Sequence, residues 1–203
     1  QHLHLLRTTA RGAVTWIGAP PGAGKTHLLQ ALCAQQAETA VAAYLPLREL
    51  KDMGPDALSG WQHAQCLCVD DIDAVLGRIE WERALFALYR EAEERGALLV
   101  VAAAAPPRHM AFALPDLGSR FAASAIFALQ PLDESQQREA LRLHARQRGL
   151  ELPEDTALYL QRRLPRDMES MCALLDELDA ASLQAQRRLT IPFIREVLAQ
   201  RPT

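Results

Sequence analysis

The segment Gly18-Ala-Pro-Pro-Gly-Ala-Gly-Lys-Thr26 constrains this 203-residue chain more than any other feature. It follows an apolar run, Ala13 to Gly18 (AVTWIG), and opens a stretch of helical character at Lys25. A strand, a glycine-rich turn and a helix in that order are the context of a phosphate-binding P-loop. Gly22 and Gly24 let the backbone turn its N–H groups toward phosphate oxygens with no Cβ in the way. The helix that follows adds its positive N-terminal end. The candidate nucleotide-binding residues are therefore Pro21, Gly22, Ala23, Gly24, Lys25, Thr26 and the adjoining His27. Lys25 is expected to reach the β- and γ-phosphates and the Thr26 hydroxyl to ligate Mg²⁺. The expected cofactors are ADP or ATP with Mg²⁺. The first position of the pattern is Ala19 in place of Gly, a tolerated variant. A glycine-rich turn that merely precedes a helix is the competing reading, and the in-register Lys-Thr pair behind a strand weighs against it.

A second element is acidic. Cys66-Leu-Cys-Val-Asp-Asp71 ends an apolar run with two carboxylates. Asp70 is placed to hold Mg²⁺, directly or through water, and Asp71 to polarise an attacking water. Alone, Asp70, Asp71 and Asp73 could equally end a strand and cap a helix; the P-loop upstream shifts the balance toward chemistry.

Five apolar runs read as strands: Ala13 to Gly18, Thr39 to Leu45, Gln65 to Asp70, Ala97 to Ala104 and Ser124 to Leu129. Their near-continuous apolar character is what a parallel sheet covered on both faces requires. Helices fit between them at Lys25 to Gln36, around Leu47 to Asp52, and at Trp81 to Glu94. After Pro131 the pattern turns all-helical: Glu134 to Arg148 behind an N-cap at Asp133 and before Gly149, Asp155 to Leu164, Asp167 to Arg187, and a last helix capped by Thr190 that runs to Ala199. The fold class is thus α/β, with a five-stranded parallel sheet in a P-loop core over residues 1–131 and an all-helical lid over residues 132–203.

Composition excludes several classes. A formal charge of −3 disfavours a surface devoted to nucleic acid, although Arg162, Arg163 and Arg166 could form a local patch. Cys33, Cys66, Cys68 and Cys172 show no zinc-ligand spacing and read as small buried hydrophobes in a reducing, cytoplasmic setting. The six histidines are scattered, so no metal beyond Mg²⁺ is expected. The longest apolar stretch, Ala97 to Pro107, is too short to span a bilayer. Trp16, Trp61 and Trp81 read as packing residues and not as a stacking platform for bases.

Beyond these readings the chain resembles the DnaA-related AAA+ proteins, most closely the Hda type, the regulatory inactivators of the bacterial replication initiator. The likeness runs through Ala23-Gly-Lys-Thr-His-Leu-Leu29, Leu114-Pro-Asp-Leu-Gly-Ser-Arg120, Leu129-Gln-Pro-Leu132, Arg148-Gly-Leu-Glu-Leu-Pro-Glu-Asp155 and Leu189-Thr-Ile-Pro-Phe-Ile194. It implies that Arg120 is an arginine finger, directed at the nucleotide of a neighbour; the competing reading is a structural Arg paired with Asp116. It implies that Arg166 is the sensor 2 arginine, reaching the phosphates of the bound nucleotide. The sensor 1 position falls in Ala102 to Ala105, where no side chain can hydrogen-bond a phosphate or a lytic water. That puts intrinsic hydrolysis in doubt and suits a protein that keeps ADP as a structural ligand. Members of this type carry an N-terminal clamp-binding peptide; Gln1 to Leu6 aligns better with the helix before the first strand, so the peptide is expected to be missing from this sequence.

The implied function is regulatory: docked on the DNA polymerase sliding clamp, the protein presents Arg120 to ATP on a DnaA-type initiator and switches initiation off. No helix-turn-helix domain is expected after the lid, nor strong direct DNA binding, nor a membrane partner; a homodimer is one further assembly to test. An autonomous ATPase of the helicase-loader kind is the alternative, favoured by Asp70 and Asp71. A P-loop kinase is a third reading, for which the sequence offers no substrate pocket or mobile basic lid.

Overall fold

The computed structural model describes residues 14–61, 63–163, 168–187 and 189–199. Five short strands, β1 (Val14–Gly18), β2 (Ala42–Pro46), β3 (Cys66–Asp70), β4 (Leu98–Ala103) and β5 (Ala125–Ala128), form one sheet in the order β2-β3-β4-β1-β5. Every pairing is parallel. The helices of this part are α1 (Lys25–Ala37), the single turn α2 (Leu47–Leu50), α3 (Ile79–Arg95) and α4 (Pro115–Ala122).

The two-residue period of the strands divides their side chains between two cores. Trp16, Leu67, Val69, Leu99, Val101 and Ala103 pack on one face with Leu85 and Leu88 of α3 and Leu117 and Phe121 of α4. Ile17, Cys66, Cys68, Val100 and Ala102 pack on the other with Leu29 and Leu32 of α1. This division fixes what each strand end can carry. Asp70 continues the Cys66–Cys68 alternation and so emerges on the face covered by α1.

The expected strands and helices are present with small shifts of boundary. β2 begins at Ala42 and not at Thr39, because the amides of Thr39 and Ala40 turn back to the Gln36 carbonyl at the end of α1. Two departures are larger. Among the described residues β5 is not covered on both faces: it pairs only with β1, and Ile126 is 44% exposed. And α4 occupies a segment where the sequence pattern predicts no helix. Its eight residues present only Leu117 and Phe121 as a buried pair at i, i+4, too little periodicity to register, while Pro115 supplies a preset φ at its first turn.

The chain divides into two compact units, with the break between Gln130 and Pro131. Among the described residues the second is all helical: α5 (Glu134–Gln147), α6 (Glu154–Arg163), α7 (Met168–Ala185) and α8 (Ile191–Ala199). It has its own core of Leu141, Leu160, Leu174, Leu175, Leu178, Phe193 and Ile194. Asp133 caps α5 as expected, and does so reciprocally. Its carboxylate accepts from the Gln136 amide at 2.8 Å while the Gln136 side chain accepts from the Asp133 amide at 3.0 Å. Gly149 follows at φ 74°.

Cys66, Cys68 and Cys172 are buried, Cys33 is half-buried, and no disulfide joins them. Burial pushes the thiols of Cys33 and Cys172 up, and Cys68 is raised by its contact with Cys66 and by burial. No helix among the described residues is long and apolar enough to cross a membrane.

Candidate functional site

The turn between β1 and α1 takes the form that its glycines allow. Gly22 and Gly24 have φ 76° and 88°, and Gly24 opens α1 with no side chain capping it. Lys25 is 7% exposed, and its Nζ donates to the carbonyls of Ala19 (2.7 Å) and Pro20 (3.2 Å). Among the described residues no carboxylate pairs with it. A buried ammonium held only by neutral carbonyls beside an uncapped helix N-terminus is an arrangement that suits an anion. Pro21 and Ala23 complete the loop, and Thr26 and His27 stand in the first turn of α1, with Thr26 exposed.

The loop rests on the end of β4. Ala19 donates its amide to Ala103 O at 3.0 Å, and the Trp16 indole donates to Ala105 O at 2.9 Å. At Gly18 an added Cβ would lie 3.1 Å from the Ala105 carbonyl carbon, so glycine there lets the two backbones approach. The Ala104 amide is in turn held by both carboxylate oxygens of Asp73, at 3.1 and 3.0 Å. Ala102 to Ala105 thus presents a fixed backbone and no polar side chain.

Asp70 is 2% exposed at the end of β3. Its Oδ2 accepts from the Tyr44 hydroxyl at 2.8 Å, and its Oδ1 from the Asp71 amide at 2.9 Å. No local sequence pattern singles out Tyr44. The signal is positional: Pro46 of β2 is level with Asp70, and Tyr44 is its same-face diagonal neighbour. The Thr26 hydroxyl and the Asp70 carboxylate are hard oxygen donors of the kind that Mg²⁺ takes. Asp71 has a left-handed backbone, φ 52°, unusual for a residue other than glycine, and its carboxylate pairs with Arg48 of α2 at 2.8 Å. Arg48 is likewise a partner that no sequence spacing predicts.

Arg120 stands apart from this cluster. It lies on α4, which packs on the sheet face opposite to the one covered by α1. Its side chain is 49% exposed. The partner is not Asp116: Nη1 contacts Glu93 Oε2 at 3.2 Å, and the guanidinium rests 5.8 Å from the Tyr89 ring centre. Arg166 and the Gln1 to Leu6 segment lie outside the described residues.

Residues 133–198 match the family model for the Hda lid domain. Among solved structures, the chain is similar to domain III of the replication initiation protein DnaA from Thermotoga maritima, with a TM-score of 0.76 and 19% identity over 97% of this chain and 88% of that one. It is similar to a replication initiator DnaA bound to AMPPCP and single-stranded DNA, with a TM-score of 0.67 and 16% identity over 91% of this chain and 62% of that chain. The RuvB Holliday junction branch migration motor of Thermotoga maritima follows at 0.65 and 18% identity, covering 98% and 66%. Identities this low speak for the fold: a parallel P-loop core with a helical lid, shared with DnaA domain III and RuvB. The chain thus shares the fold of DnaA domain III, and its residues 133–198 match the Hda lid domain.

Proposed function

We propose that this protein is a nucleotide-binding regulator of replication initiation that lends Arg120 to the ATP of another AAA+ subunit. The P-loop around Lys25, with Thr26 and Asp70 toward Mg²⁺, holds ADP or ATP as a resident ligand. Arg166 is the residue of the lid assigned to its phosphates. With the sliding clamp, engaged through an N-terminal peptide, the protein meets a DnaA-type initiator in the cytoplasm. There Arg120 stabilises the charge that develops as the initiator's ATP is hydrolysed.

The separation of Arg120 from its own P-loop carries this reading. An exposed guanidinium on the far face of the sheet from α1 serves a neighbour's phosphate more readily than its own. Its own site has the acids but little else for turnover, since Asp71 is paired with Arg48 and the end of β4 offers only alanines. The Asp70–Asp71 pair is the observation that keeps an autonomous ATPase of the helicase-loader kind as the second reading.

The test is ATP hydrolysis by the initiator on clamp-loaded DNA, with this protein intact or changed at Arg120→Ala. Loss of a transition-state arginine is expected to lower the stimulated rate about a thousandfold or more while ADP binding by the variant survives. Unchanged hydrolysis by the initiator, with turnover by this protein alone, would replace the regulatory reading by the autonomous one.

A further inference from the structure

We infer that Glu82 and Gly118 are positioning residues for Arg120, which sets where the guanidinium is offered; this rests on the reading of Arg120 as an arginine that acts in trans. A helix of eight residues such as α4 has little stability of its own, so its placement must come from what it touches. Three contacts supply it.

The first is Glu82, fully buried on α3. Its Oε1 accepts from the amides of Gly77 (2.7 Å) and Ala113 (3.0 Å), and its Oε2 from the amide of Leu114 (2.6 Å). Among the described residues no cation pairs with it. Ala113 and Leu114 are the last two residues before Pro115, which has no N–H of its own. A carboxylate taken out of water is thus held by backbone donors alone, two of them at the entrance to the arginine-bearing helix.

The second contact is Gly118, where an added Cβ would stand 2.9 Å from Cδ2 and 3.1 Å from Cγ of Phe112. Phe112 itself packs on the Trp16 and Phe121 pair, with ring centres 6.3 and 6.1 Å away and the two partners 5.1 Å apart. Hydrogen at position 118 therefore fixes how closely α4 approaches this aromatic cluster. The third contact is the resting place of Arg120 on Tyr89 and Glu93. Glu82, Tyr89 and Glu93 are spaced i, i+7 and i+11, one face of α3. That face holds both the start of α4 and the head of its arginine.

Two variants test this in the initiator-stimulation assay, read as the maximal rate at saturating concentrations of this protein so that a reduced folded fraction is titrated out. Glu82→Gln keeps one acceptor oxygen and sets an NH₂ against an amide N–H. The maximal rate is expected to fall on the order of tenfold, as for a misplacement by a fraction of the 1 Å that can cost about a hundredfold. Gly118→Ala removes no hydrogen-bonding group and favours helix; the displacement of α4 from Phe112 is expected to lower the maximal rate roughly fivefold. In both, ADP binding and the half-saturating concentration stay within about twofold of wild type, which a general loss of structure would not leave unchanged. If both bind ADP normally and both reach the wild-type maximal rate, positioning by α3 is wrong. If Glu82→Gln fails to bind ADP, Gly118→Ala decides alone. If Arg120→Ala itself leaves the stimulated rate untouched, the trans-acting reading has failed, and this inference with it.

Discussion

Tyr44 donates a hydrogen bond from its hydroxyl to Asp70, and the carboxylate keeps the proton on the phenol. Burial, the hydrogen bond to Asp70 and the charges of Asp70, Asp71 and Glu49 together push the Tyr44 hydroxyl well above the ordinary tyrosine range. In the unfolded chain it ionises near pH 10. The folded state therefore binds the proton more tightly, and the stabilisation is fully present below about pH 10 and lost as pH rises above it. Denaturant unfolding of wild type and Tyr44→Phe at pH 8 to 11 checks this: the wild-type advantage is expected to shrink above pH 10, and a constant gap would refute it. Tyr89, also raised by burial, is common to both proteins and cancels. The same geometry explains why sequence identified Asp70 but not Tyr44. A carboxylate at a strand end is read from one segment; the phenol that orients it comes from a neighbouring strand, through a register that only the sheet supplies.

At the scale of elements, local chemistry and tertiary packing divide the work unevenly. α5 is specified locally: Asp133 and Gln136 satisfy each other's amides, and Gly149 takes the left-handed φ after the helix. Asp133→Ala is expected to destabilise the helical unit by about 1 kcal/mol, seen as a lowered thermal midpoint, with the reciprocal Gln136→Ala costing less. α4 is the opposite case. Two apolar residues and a proline do not announce a helix, and it is the carboxylate of Glu82 and the aromatic cluster behind Gly118 that make a place for it. β5 makes the same point from the sheet: its apolar sequence suits a buried strand, but topology puts it at an edge.

The whole molecule comprises two units with separate cores, and the ligand proposed for it links to stability through the first. A nucleotide that binds the folded P-loop at a hundred times its dissociation constant stabilises by about 2.7 kcal/mol. ADP with Mg²⁺ is expected to raise the thermal midpoint of wild type, and Lys25→Ala to abolish most of that shift while its own midpoint without nucleotide changes little. Removing a buried ammonium that has only carbonyl partners costs the empty fold little. An undiminished shift in Lys25→Ala would show that the nucleotide is held elsewhere.

By itself the sequence determined the phosphate loop, the alternation that makes a parallel sheet, the helical second unit and the acid at the end of β3. Each is written in contiguous residues, whose spacing matches the period of one element or the needs of one turn. Only the tertiary structure decided the partners: Tyr44 for Asp70, Arg48 for Asp71, Asp73 for the Ala104 amide, Glu82 for the start of α4, and Glu93 in place of Asp116 for Arg120. These pairs join residues 23 to 32 positions apart. Such contacts are set by strand register and by which face of the sheet a helix covers, and neither leaves a local mark in the chain.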